Sequence, residues 1–185
     1  MTLHSLAAAV LLGAAAFAAQ ASQVQLEALG TPTAGQSFDL QLVLEDPFQG
    51  LAADEQLLAY GFHLSFDSSL LKLDAFTPAA GWENDSGRLG AGIFSASIFP
   101  GVDNAGQGDL VLGTLHFDAL GAGAAAVALA TDPGDFNQGL IYLEADPRAL
   151  AASTTIALST PVPEPASGAL LLGGLAALAW RRRRA

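Results

Sequence analysis

Hydrolytic or metal chemistry in this chain would have to rest on the two histidines that lie beyond its N-terminal segment, His63 and His116, and on a few closely spaced carboxylates. Both histidines fall on the outward side of alternating segments. If their strands pair, the rings approach each other and Asp118 completes a metal site or a proton relay, although two histidines are too few for a catalytic zinc. Glu83 with Asp85, and Asp132 with Asp135, are carboxylate pairs of the kind glycoside hydrolysis uses, but nearness in sequence does not make a cleft. No cysteine, G-x-S-x-G elbow, H-E-x-x-H pair or Gly-rich phosphate loop with a lysine is present, so no reaction is expected. Calcium is the cofactor the sequence puts forward, because hard oxygen ligands gather at Asp103 and Asn104, and at Asp132, Asp135 and Asn137 within TDPGDFNQG. That segment lacks the spaced acids and terminal Glu of an EF-hand, and Asx turns are the competing reading of the same residues. Trp82 and Phe99 lie near loops, where they would stack on sugar rings or pack inside.

The elements that must position these groups alternate with period two. Phe38, Leu40, Leu42 and Leu44 share one face, and Tyr60, Phe62, Leu64 and Phe66 repeat the pattern with Gly61, His63 and Ser65 outward. A third run places Val111, Gly113, Leu115, Phe117 and Ala119 inward and Thr114, His116 and Asp118 outward. Further strands are expected at 24–29, 70–76, 93–99, 124–130, 140–144 and 154–158, each bounded by Gly, Pro, Asp or Asn. About nine short strands with regular turn signals predict an all-β sandwich of two antiparallel sheets. Residues 54–58 are expected as a helical turn in a loop, and the small residues at 121–126 as a bulge or close sheet contact.

The ends read as targeting segments. Leu6 to Phe17 is apolar and Ala19-Gln20-Ala21 offers a small-x-small cleavage pattern, so residues 1–21 are expected to be a signal peptide, although Met1 to Ser5 contains no Lys or Arg. Residues 22–160 then form one domain. Four of the seven basic residues are terminal arginines, and Glu164 is the one acid of 18 outside the domain, which therefore holds three bases against 17 acids, a net −14. Such a surface disfavours nucleic acid and anionic lipid, and favours solubility, cations or neutral polymers. Without cysteine the fold must stand on packing or ion binding in an oxidising compartment.

Residues 161–185 carry a second address. Pro163, Glu164 and Pro165 form a rigid extended segment, Ala166 to Trp180 is an uncharged apolar run, and Arg181, Arg182, Arg183 and Arg184 follow it as a cytoplasmic stop. Fifteen residues reach only about 22 Å, short of the roughly 30 Å hydrocarbon core, which makes this a minimal transmembrane helix. The Pro-Glu-Pro box, short helix and Arg cluster resemble the PEP-CTERM sorting tail of Gram-negative bacteria. That resemblance implies export, handling by signal peptidase, transient inner-membrane anchoring, and removal of the helix by an exosortase in organisms that make extracellular polysaccharide. An ordinary C-terminal anchor is the alternative.

The domain resembles the cohesin-type jelly-roll sandwich. Phe66, Asp67, Leu70, Leu71 and Leu73 match that family's F-D-P-x-L-L-x-L hairpin, with Ser68 where Pro is frequent, and Leu112, Leu115 and Phe117 match a later strand. The resemblance implies non-catalytic adhesion or scaffolding at the cell surface or in a biofilm matrix, with a dockerin-like protein or exopolysaccharide as partner. One sheet face bearing His63, Ser65, Thr114 and His116 would be the platform. A tethered carbohydrate-binding module and a small secreted hydrolase are the alternatives.

Overall fold

Side-chain alternation makes most of this chain into half-buried ribbons, and the computed structural model, which describes residues 24–161 except Gln107 and Pro133, stacks them as two antiparallel sheets. The strands are β1 (Val24–Leu29), β2 (Ser37–Leu44), β3 (Gln56–Phe66), β4 (Leu71–Pro78), β5 (Glu83–Asn84), β6 (Ile93–Asp103), β7 (Leu110–Ala119), β8 (Gly123–Ala130), β9 (Gly139–Tyr142) and β10 (Ala151–Leu158). One sheet has the order β1-β2-β7-β4; the other runs β10-β8-β3-β6-β5, with β9 also on β3. Between them lie Phe38, Leu40, Leu42 and Leu44 of β2 and Tyr60 and Phe62 of β3, all buried as their alternation predicts. Phe38 stacks on Phe117 at 5.8 Å within the four-stranded sheet, while Phe62 and Phe66 of β3 meet Phe76 and Phe117 edge-on at 5.8 and 5.3 Å, so these last two aromatic pairs join the two layers. The expected signal segment 1–21, the Pro163 to Pro165 box, the apolar run and Arg181 to Arg184 lie outside the described residues. Among the described residues no helix is long and apolar enough to cross a membrane.

Four expectations are corrected by pairing. Residues 56–58 open β3 instead of forming a helical turn: Gln56 pairs with Asp103 and Leu57 with Val102, and Leu57 is fully buried. In β7, Leu42 faces Gly113 while Val43 faces Val111, leaving Leu112 as an extra, bulged residue. Leu112 therefore turns into the core and Val111 outward, opposite to strict alternation. The Leu112 carbonyl accepts from the Ala79 N–H and from the buried Tyr60 hydroxyl. The segment around Asp67 is not a hairpin, since β3 and β4 belong to different sheets. It is a corner between layers, in which Asp67 Oδ1 accepts from the Ser69 N–H at 3.0 Å and the Ser69 hydroxyl at 2.6 Å. Fourth, His63 lies on β3 and His116 on β7, so the two rings stand on different sheets and never share a face.

Pairing along β3 sets the place of the loop 131–138. β8 pairs with residues 63–66 of β3 and β9 with residues 57–61, so the two strands lie end to end along one edge of β3 with that loop between them. At the far end of β10, Ser159 bridges Thr33 in parallel and donates its N–H to Pro32.

Candidate functional site

The loop 131–138 is fastened to the sheet by one buried amide. Gln138, 5% exposed, accepts the Asp132 N–H at its Oε1 (2.8 Å) and donates from Nε2 to Asp135 Oδ2 and to His63 Nε2, both at 3.0 Å. Because His63 Nε2 accepts that bond, its proton belongs on Nδ1, where it is donated to the Gly92 carbonyl at 3.1 Å. His63 thus joins the loop 131–138 to the loop that precedes β6. Gly61 lies beneath this joint: a Cβ there would run into the Asn137 carbonyl oxygen, so only glycine lets the loop rest on β3.

With its base fixed, the loop has two local turns. Asp132 Oδ1 accepts the Gly134 N–H at 2.8 Å, and Asp135 Oδ1 accepts the Asn137 N–H at 2.9 Å and its side-chain amide at 3.0 Å. The Asn137 backbone N–H and then the Gln138 amide hold the Asp135 carboxyl below its ordinary value against the opposing effect of desolvation. In Asp132 and Asp135 one carboxylate oxygen each, Oδ1, is thus engaged by turn N–H groups, the Asx-turn arrangement. A calcium ion there would share these oxygens. Among the described residues no group of three or more His, Cys, Asp or Glu converges as metal ligands.

These turns lift Phe136 into solvent, where its ring is 88% exposed. Beside it opens a cleft of about 240 Å3 walled by Phe136, Pro147 and Ala149 and edged by Thr131, Gln138, the carboxylates of Asp132 and Asp135 and the guanidinium-bearing Arg148. Sequence reasoning missed both Phe136 and Gln138. The available signal was an aromatic at the tip of a turn-rich G-D-F-N segment, where no strand face exists to bury it.

Other candidates have structural duties. His116 Nδ1 and Asp39 Oδ1 are 2.7 Å apart and its Nε2 lies 3.0 Å from the Thr77 hydroxyl, on the outer face of the four-stranded sheet. Asp118 accepts from Ser37 at 2.7 Å and Lys72 at 3.2 Å, and these, the serine bond foremost, lower its pKa against desolvation. The platform of His63, Ser65, Thr114 and His116 is consequently divided between two outer faces. Glu83 and Asp85 both bind Nη1 of Arg88, at 3.0 and 2.9 Å. Asp103 accepts from Gln56 at 2.6 Å and Asn104 donates to the Ala52 carbonyl at 2.6 Å. Trp82 packs against Tyr60 at 4.9 Å, whereas Phe99 is 96% exposed.

Known proteins resemble two parts of the chain. Residues 161–184 match the PEP-CTERM protein-sorting motif, so the chain carries that motif at its C-terminal end. None of the curated proteins matches the chain. Among solved structures, a cohesin module from a family 33 glycoside hydrolase of Clostridium perfringens is 14% identical with a TM-score of 0.56, over 76% of this chain and 98% of that one. CaCohA2 from Clostridium acetobutylicum is 16% identical, TM-score 0.47, over 75% and 92%. The sixth cohesin of scaffoldin B from Acetivibrio cellulolyticus, solved in complex with a Cel5 dockerin, is 11% identical, TM-score 0.41, over 75% and 94%. The described domain has the cohesin-like β-sandwich fold, for which the first of these is the basis.

Proposed function

We propose that this chain is an exosortase-processed surface or matrix protein of a Gram-negative bacterium whose sandwich acts by non-catalytic adhesion or scaffolding. The sorting motif indicates export to the cell envelope or surface. One observation carries the reading further: the last strand ends at Leu158 and the motif begins at residue 161, so almost no linker separates the folded body from its sorting signal. Whatever handles the tail delivers the sandwich with it. Pairing of Glu83 and Asp85 to one arginine, instead of across a cleft, suits binding better than turnover. A dockerin-like protein or an exopolysaccharide is the partner that this reading expects, after the tail has crossed the inner membrane as a transient anchor.

Mass spectrometry of the protein recovered from outside its native host tests the processing. A C-terminus near Pro165 and an N-terminus near Ser22 are expected; an intact run of Arg181 to Arg184 on the exported protein rejects exosortase cleavage. The carbohydrate-binding reading is supported by the exposure of Phe99 and Phe136, whose rings are open to stack on a sugar face.

A further inference from the structure

We infer that the cleft beside Phe136 is a subsite for one ring of a neutral polysaccharide, a reading that rests on the adhesive function proposed above. Phe136 is left 88% exposed although burial of an apolar ring is ordinarily favourable. Two Asx turns and the Gln138 amide hold the loop in the shape that raises the ring. A pyranose has a flat face of C–H groups and a rim of hydroxyls. The ring of Phe136 and the neighbouring Pro147 supply an apolar wall for the face. Asp132 Oδ2 has no partner among the described residues and is open to accept from the rim, while Asp135 is fixed in the same wall.

Size and charge narrow the class. A cleft of about 240 Å3 lies below the roughly 300–1,000 Å3 that encloses a drug-sized ligand, so it takes one ring of a chain and not a whole cofactor. Two carboxylates against one guanidinium, that of Arg148, which is turned to the Gln49 carbonyl, line the cleft in a domain of net charge −14, a balance that disfavours polyanions such as sulfated glycans and nucleic acid. A basic peptide is the competing ligand that the same carboxylates would admit.

Affinity electrophoresis of the full chain, kept in a polyoxyethylene detergent to avoid sugar headgroups, tests the assignment in native gels containing dextran, hydroxyethyl cellulose, xylan or galactomannan. Retardation by at least one polymer is expected. Phe136→Ala should weaken it by roughly tenfold or more, Phe136→Trp should preserve it, and Asp132→Ala should weaken it. Melting temperature should be unchanged in Phe136→Ala, since so little of that ring is buried. His116→Ala, on the other sheet, should bind as the parent does. No retardation by any of the four polymers, retardation unaltered in Phe136→Ala, or capture of an oligolysine peptide in their place would each overturn the inference. A chain that ignores all four yet still decorates the cell surface through a protein partner loses this subsite and keeps the adhesive reading.

Discussion

Glu55 shows how a single carboxylate can fasten two loops of an acidic protein. Its side chain is 4% exposed, with Oε1 accepting the N–H groups of Gln56 and Glu144, both at 3.0 Å, and Oε2 accepting that of Ala145 at 2.9 Å. Burial alone would raise its pKa, but these backbone donors outweigh it and the carboxyl titrates below its ordinary 4.5. The sign comes from linkage: a depressed folded-state pKa gives stability that is complete above 4.5 and is lost as pH falls through the lowered value. Glu55→Gln presents an NH2 group to one of the backbone donors and should cost about 2 kcal/mol at neutral pH. Thermal melts between neutrality and pH 3 should show a shallower loss on acidification in the variant than in the parent. Equal slopes would mean that Asp67, Asp118 and Asp135, whose pKa values are also lowered, carry the acid sensitivity without it.

At the level of elements, the decisive contact is the loop 131–138 resting on β3. A Cβ at Gly61 meets backbone, which cannot rotate away, so Gly61→Ala should destabilise the domain by roughly 1–3 kcal/mol. Hydrogen exchange should accelerate at Asp135 and Gln138, whose N–H groups belong to the loop turns, while Leu40 and Leu115 on the opposite sheet stay protected. Uniform acceleration across both sheets would refute a local role for Gly61. Period-two patterning made the strands legible in advance: β1 was expected at its observed bounds and β2 with its observed inward face. The bulge at Leu112 was not legible, because an extra residue is defined only against its partner strand, and one residue is enough to exchange the faces of Val111 and Leu112. Asp67, Ser68 and Ser69 announce a reversal of the chain but say nothing about which layer receives it, so a corner passed for a hairpin. His63 and His116 were separated by the same ignorance of sheet order. Phe136 and Gln138 escaped notice because an aromatic is counted toward the core by default and an amide does not titrate.

The whole molecule has a polarity that arises from one parallel contact. β10 starts beside Val24, with which Ala151 and Ala152 share a cleft, and ends at Ser159 against Pro32 and Thr33, so β1 and β10 run side by side in the same direction. The chain thus enters the sandwich at one end and leaves for its sorting tail at the other, about 25 Å away for eight strand residues. The loop after β2, which contains Gln49, belongs to the entry end, since Leu44 pairs with Val24 and Arg148 donates to the Gln49 carbonyl at 2.9 Å. A tail held in the membrane before cleavage would therefore place the turn 30–36 against the lipid and point the Gln49 loop away. The absence of cysteine lets single labels report this. Thr31→Cys and Gln49→Cys, both at exposed positions, would carry a fluorophore in the uncleaved chain reconstituted in vesicles with a headgroup quencher. Strong quenching at position 31 and weak quenching at 49 is the expected result. Equal quenching at the two sites would mean that the body tumbles freely on its tail, and the reverse order would mean that it lies inverted on the membrane, either of which removes the orientation derived from Thr33 and Ser159.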